Sequence, residues 1–155
     1  MADGKAAALE GLEADICGWL AGQHQAMLGL LEEVVNIDSG SYDKAGVDKV
    51  GDRFIQHFTE RGLLTKVEPH ETYGNAIHIR LDDSLSNERP IVLMGHRDTV
   101  FPKGEAARRI FKIEGGRAYG PGVADMKAGL VMNAFVLEAF KRMGIVLCQK
   151  LNVRP

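Results

Sequence analysis

His96, Asp98 and Asp125 are the residues of this sequence whose types and spacing could do chemistry. Neutral imidazole and carboxylate are both good zinc ligands, and a ligating histidine usually gives its other ring N–H to a carboxylate or carbonyl that fixes its tautomer. In His96-Arg97-Asp98 on extended chain, the first and third side chains share a side, because strand side chains repeat every two residues. Asp98 is thereby placed to orient His96. Asp125 has two carboxylate oxygens and could bridge two metal ions; a bridged pair can clamp an amide carbonyl and activate the water that attacks it. Taken singly, each has a plainer use. His96 and Asp98 could be a hydrogen-bonded structural pair, Asp125 a helix N-cap, and Gly120-Pro121-Gly122 a turn. Their combination is what points to a metal centre.

Two elements must position these groups. Pro90-Ile91-Val92-Leu93-Met94-Gly95 leads into His96, and its continuous apolar run predicts a strand buried on both faces. In open α/β sheets, ligands sit just beyond the carboxyl ends of such strands. Asp125 lies in a glycine-rich loop, Gly120 to Gly129, that opens an apolar helix with Met132, Phe135, Val136, Ala139, Phe140 and Met143 along one stripe and Gly144 as its stop.

Upstream, helical spacing runs from Leu12 to Val34 with an interruption at Ala21-Gly22 and an end near Ile37. Asp38-Ser39-Gly40-Ser41 reads as a turn. A second helix places Val47, Val50, Gly51, Phe54, Ile55 and Phe58 on one face and stops at Arg61-Gly62. Leu63 to Val67 is a short strand, Ala76 to Asp82 alternates as a strand with one wet face, and Asp83 to Arg89 is a polar loop. Ile110 to Ile113 and Arg117 to Tyr119 flank Gly115-Gly116 as a hairpin. The order predicts an α/β fold, a mixed sheet with flanking helices, in which Ile145 to Cys148 could open another strand before the fold breaks off in mid-sheet. His24, His57, His70 and His78 lack ligand spacing and are expected at the surface or half-buried.

Composition narrows the class. The 155 residues suffice for one domain with a core, and a net charge of -2 gives no reason to expect nucleic acid or an anionic membrane as partner. Cys17 and Cys148 form no CxxC and no disulfide framework, and residues 1–13 have no basic segment followed by an apolar core. The expectation is a soluble, cytoplasmic protein.

Met94-Gly95-His96-Arg97-Asp98-Thr99-Val100 and Tyr119-Gly120-Pro121-Gly122-Val123-Ala124-Asp125-Met126-Lys127-Ala128-Gly129 resemble the zinc-dependent amidohydrolase and exopeptidase family of glutamate carboxypeptidase, acetylornithine deacetylase, succinyl-diaminopimelate desuccinylase and aminoacylase. Asp38-Ser39-Gly40-Ser41 and Gly74-Asn75 add weaker support, and the likeness runs from about Met27 to about Gly144, most similar to the glutamate carboxypeptidase branch. The resemblance implies that His96 binds one of two zinc ions, Asp125 bridges both, and Asp98 is the carboxylate behind His96. It also implies a cis peptide after Asp125, a zinc-exopeptidase-like catalytic domain, a peptide or N-acyl amino acid substrate, and a homodimer.

The family pattern continues with a Glu-Glu pair, a later acidic ligand, a C-terminal histidine and an inserted lid and dimerisation domain. After Asp125 the sequence has one acidic residue, Glu138, and after His96 it has no histidine. Residues 1–155 are therefore expected to be the N-terminal portion of one catalytic domain. The function expected of the family is hydrolysis of an amide next to a free carboxylate, such as a C-terminal glutamate. Two alternatives stand beside it: a truncated, inactive fragment with a partial zinc site, and a protein that pairs its sheet edge with a full-length homologue.

Overall fold

The computed structural model describes residues 10–81 and 91–145. Helix α1 (Leu12–Ala21) and helix α2 (His24–Val35) are separated at Gly22 and Gln23, where the apolar row is interrupted. Helix α3 (Lys44–Glu60) begins at Asp43, whose carboxylate accepts a hydrogen bond from the Gly46 N–H at 3.2 Å. This satisfies one of the donors that a first turn leaves free. The chain leaves α3 through Gly62 at φ 71°, a left-handed conformation that favours glycine.

Strands β1 (Leu64–Glu68) and β2 (Ala76–Arg80) pair antiparallel with Val67 opposite Ile77. Ile77 and Ile79 are half-buried towards α3 while His78 and Arg80 face water, so the alternation does mark one wet face. After the short helix α4 (Glu105–Arg108), β3 (Lys112–Glu114) and β4 (Arg117–Tyr119) form a tight hairpin. Its two glycines, Gly115 and Gly116, take φ 57° and 74°, the positive pair that a type I′ turn requires. A kinked turn, Val123–Lys127, then leads into α5 (Ala128–Arg142), and Gly144 at φ 63° follows its end.

Helices α2, α3 and α5 share one core built from Leu30, Leu31, Val34, Val35, Val50, Phe54, Phe58, Val131 and Phe135. Trp19 of α1 stacks on Phe135 at 6.4 Å between ring centres. No described helix is long and apolar enough to cross a membrane.

Several expectations need correction. The described strands lie in two separate antiparallel pairs, so the α/β character holds but the mixed sheet does not form among these residues. Ile91 to Met94 forms no strand there, and these residues are 76%, 66%, 46% and 81% exposed. An apolar run shows that a segment is suited to burial; it cannot supply the neighbours that bury it. On α5, Phe135 and Ala139 of the expected stripe are buried, joined by Val131 and Ala134, while Met132 is exposed.

His57 is not at the surface. It is 2% exposed, with its ring 5.2 Å from that of Phe135 and 5.6 Å from that of Phe58. Burial, helped by the nearby Arg61 and Arg53 guanidinium groups, lowers its pKa to about 4. His24, His70 and His78 are exposed as expected. The polar loop at Asp83 to Arg89, Pro90 and the strand suggested from Val146 to Cys148 lie outside the described residues.

Candidate metal centre

The segment carrying His96 and Asp98 is tied down by contacts at its C-terminal end. Thr99 N–H donates to Ser39 O at 2.7 Å and Ser41 N–H donates to Thr99 O at 3.0 Å, around an isolated parallel bridge between Gly40 and Thr99. Asp38-Ser39-Gly40-Ser41 is thus a short docking strip as well as a turn. Ser41 Oγ donates to Asp98 Oδ2 at 2.5 Å. Arg97, on the opposite side from its two neighbours, donates from Nη2 to the Asn75 carbonyl.

Asp125 is held from below. Gly122 enters the kinked turn at φ 77°, and Lys127 N–H returns to Gly122 O at 2.8 Å. Asp125 (φ -137°, ψ 95°) and Met126 (φ -133°, ψ 36°) leave helical geometry, and the peptide between them is cis. Asp125 is therefore not the N-cap of α5. Lys127 is 1% exposed, and its ammonium donates to Val34 O at 2.8 Å and Ile37 O at 3.0 Å. Burial lowers its pKa to about 8.

Glycines let the two parts meet. A Cβ at Gly95 would come within 2.6 Å of Leu130 Cδ2, and one at Gly122 within 2.6 Å of Thr99 Cγ2. Such distances leave no room for a larger residue without a shift.

All three expected residues converge. His96 Nε2 lies 3.0 Å from Asp125 Oδ1, while Nδ1 lies 3.0 Å from Asp98 O and 3.3 Å from Asp98 Oδ1. Asp98 stands behind the ring, and Nε2 is directed at Asp125. Burial works against a charged imidazolium, but Asp125 and the Asp98 carbonyl and carboxylate outweigh it and raise the His96 pKa above its ordinary value. The hydrogen bond from Ser41 lowers the pKa of Asp98 and keeps it a carboxylate.

A cleft of about 280 Å³ opens on these groups, lined also by Thr99, Phe101, Gly122 and Val123. A larger cavity of about 530 Å³ adjoins it across Gly120. Its cations are already paired, Arg108 and Arg109 with Glu105 and Lys112 with Glu114, so the smaller cleft is the better seat for chemistry.

An imidazole nitrogen and a carboxylate oxygen facing one cleft fit zinc in kind, with Asp98 supplying the orientation that a ligating histidine needs. They amount to half a site. Zinc takes about four donors, and among the described residues no three of His, Cys, Asp and Glu gather to hold an ion. Glu138 is committed elsewhere: its Oε2 accepts from Arg61 Nε at 2.6 Å. Ser41, Arg97 and Lys127 are the functional contributors that motif reading left without a role, although all three lie inside the stretches that carry the resemblance.

With a histidine, an orienting carboxylate and a second carboxylate in place, the comparison with known proteins is direct. Residues 92–153, which include all three site residues, match Peptidase family M20/M25/M40. Over 125 residues it is also 30% identical to Carboxypeptidase G2 of Pseudomonas sp. (strain RS-16). That match covers 79% of this chain and 30% of the relative, so the chain spans less than a third of the length of the protein it matches.

Proposed function

We propose that this chain carries part of the catalytic site of a zinc-dependent hydrolase that cleaves an amide next to a free carboxylate, such as a C-terminal glutamate. The observation that carries the reading is the 3.0 Å approach of His96 Nε2 to Asp125 Oδ1 with Asp98 behind the ring. The match to a peptidase family and the likeness to a carboxypeptidase support it.

His96 and Asp125 would hold the metal, and Asp125 has a second oxygen with which to bridge to another ion. When bound, zinc would supply Lewis acidity toward the amide carbonyl and the attacking water. The chain's own residues do the rest: Asp98 holds the proton of His96 Nδ1 towards itself and leaves Nε2 free to ligate, and Ser41 holds Asp98. A general base is worth about 10²–10⁴-fold in rate. The one acidic residue after Asp125 is Glu138, which Arg61 occupies, so we propose that the 155 residues by themselves turn over little or no substrate. The zinc-exopeptidase-like domain, the peptide or N-acyl amino acid substrate and homodimerisation belong to the same proposal. Cysteine usage supports a cytoplasmic location.

The exposed apolar Ile91–Met94 segment favours one second reading, that this chain pairs its edge with a full-length homologue. It predicts co-elution with such a partner; a chain that stays monomeric beside the homologue would count against it.

The function is tested by a chimera in which the matched residues of this chain replace their counterparts in the Pseudomonas relative. The expected result is hydrolysis of an N-acyl glutamate that disappears in His96→Ala and Asp125→Ala. A folded chimera that binds zinc and hydrolyses nothing would overturn the assignment.

A further inference from the structure

The residue between the two site residues has a seat of its own. Arg97 is half-buried, and its guanidinium lies between α3 and the loop before β2. Gly51 opens that space, and Gly74 brings the loop against Val47 beside it. A Cβ at Gly51 would lie 3.0 Å from Arg97 Nη1 and 3.2 Å from Cζ, and one at Gly74 would lie 3.5 Å from Nη2 and overlap Val47. Gly51 sits in the interior of α3, where glycine is a poor helix former, and it is buried. Room for Arg97, and for Ile77 Cδ1 at 2.8 Å from the same Cβ, accounts for it.

The seat is also polar in the right sense. Nη2 donates to Asn75 O, and Asp48 and Asp52 on α3, together with Asp98, attract the guanidinium. Asp48 ties the seat together: its Oδ1 accepts from Asn75 N–H at 2.7 Å and its Oδ2 takes Lys44 Nζ at 2.7 Å. Because side chains alternate along extended chain, a guanidinium fixed on one side fixes the directions of His96 and Asp98 on the other. This matters because the residues ahead of His96 lack a ladder partner among the described residues.

We infer that Arg97 is a positioning residue for the metal centre: docked in the Gly51/Gly74 slot, it aims His96 at Asp125 and keeps Asp98 behind it. The inference rests on the reading of His96 and Asp125 as metal ligands. A lysine there would keep the charge but lose the planar fork that reaches Asn75 O.

The test is cobalt(II) titration of the whole chain, following both affinity and the visible absorption of the bound ion. Cobalt binding by the native chain that is lost in His96→Ala upholds the ligand assignment; no binding by the native chain overturns that assignment, and the inference falls with it. Given binding, Arg97→Met is expected to weaken affinity about tenfold, the lower end of the effect of losing an outer-shell partner, and to change the absorption spectrum. Arg97→Lys should recover part of both. Native affinity and spectrum in Arg97→Met would overturn the inference alone. Should Arg97→Met fail to fold, Gly51→Ala decides: a filled slot should weaken cobalt binding while the melting curve stays cooperative, and unchanged binding would overturn the inference.

Discussion

The two halves of the site are held in different ways. Asp125 is itself exposed, but its loop is anchored in the core by Lys127, which reaches under α2 to the buried Val34 carbonyl and the half-buried Ile37 carbonyl. Among the described residues, His96 has no such anchor in the helical core. Its segment carries a run of exposed apolar side chains, and it is fixed by Ser41, by the Thr99 bridge and by Arg97. The difference predicts that changes beneath Asp125 act on stability, while changes around His96 act on metal binding with the fold intact.

The largest expected effect is on the core side. Lys127→Met leaves the Val34 and Ile37 carbonyls without a donor, and unmet buried groups cost about 1–3 kcal/mol each. Removing a desolvated cation offsets part of that. A net loss of about 2–4 kcal/mol in urea unfolding is expected; a loss within 0.5 kcal/mol, roughly the range of ordinary surface substitutions, would erase the contrast.

Acid should also act on the core. The folded-state pKa of His57 is about 4, below the ordinary value of 6.5, so between those values the unfolded chain takes up a proton that the folded chain refuses. The contribution of His57 to stability is fully present above pH 6.5 and is lost as pH falls towards 4, a change on the order of 3 kcal/mol. His57→Gln should flatten this part of the pH profile of unfolding. The same slope in native and variant chains would show that other groups carry it.

Gly95→Ala probes the seam between the halves, since its Cβ would press on Leu130 and Met126 at the start of α5. Overpacking of this kind costs about 1–3 kcal/mol, and zinc affinity should fall in parallel as His96 is lifted from Asp125. Ser41→Ala is the gentlest change. It removes one partly buried hydrogen bond, with about 1 kcal/mol or less expected in unfolding and a weakening of zinc affinity that the fold does not share. A stability loss as large as that of Lys127→Met would mean that the His96 side is core as well.

How legible all this was depends on the range of the interaction. The breaks at Gly22 and Gly62, the hairpin at Gly115-Gly116 and the meeting of His96, Asp98 and Asp125 are written in local residue types or motif spacing. Ile91–Met94 was not legible, because an apolar run states what a strand could bury and says nothing of its neighbours. His57 follows Phe54 by three and precedes Phe58, a position on the buried face that could have been read from helical spacing. On α5, Phe135 and Ala139 were legible from the apolar stripe, whereas Val131 and Ala134 took the buried places beside them and Met132 did not. Lys127 and Arg97 carry no partner in the motif reading, since their carbonyl acceptors lie 90 and 22 residues away in the chain for Ile37 and Asn75.

Calorimetric zinc titration of the chain and its single-site variants tests the central claim most directly. The half-site account predicts saturable binding that His96→Ala and Asp125→Ala each abolish and Asp98→Asn only weakens, because Asp98 acts through His96. Unchanged affinity in both alanine variants would contradict it.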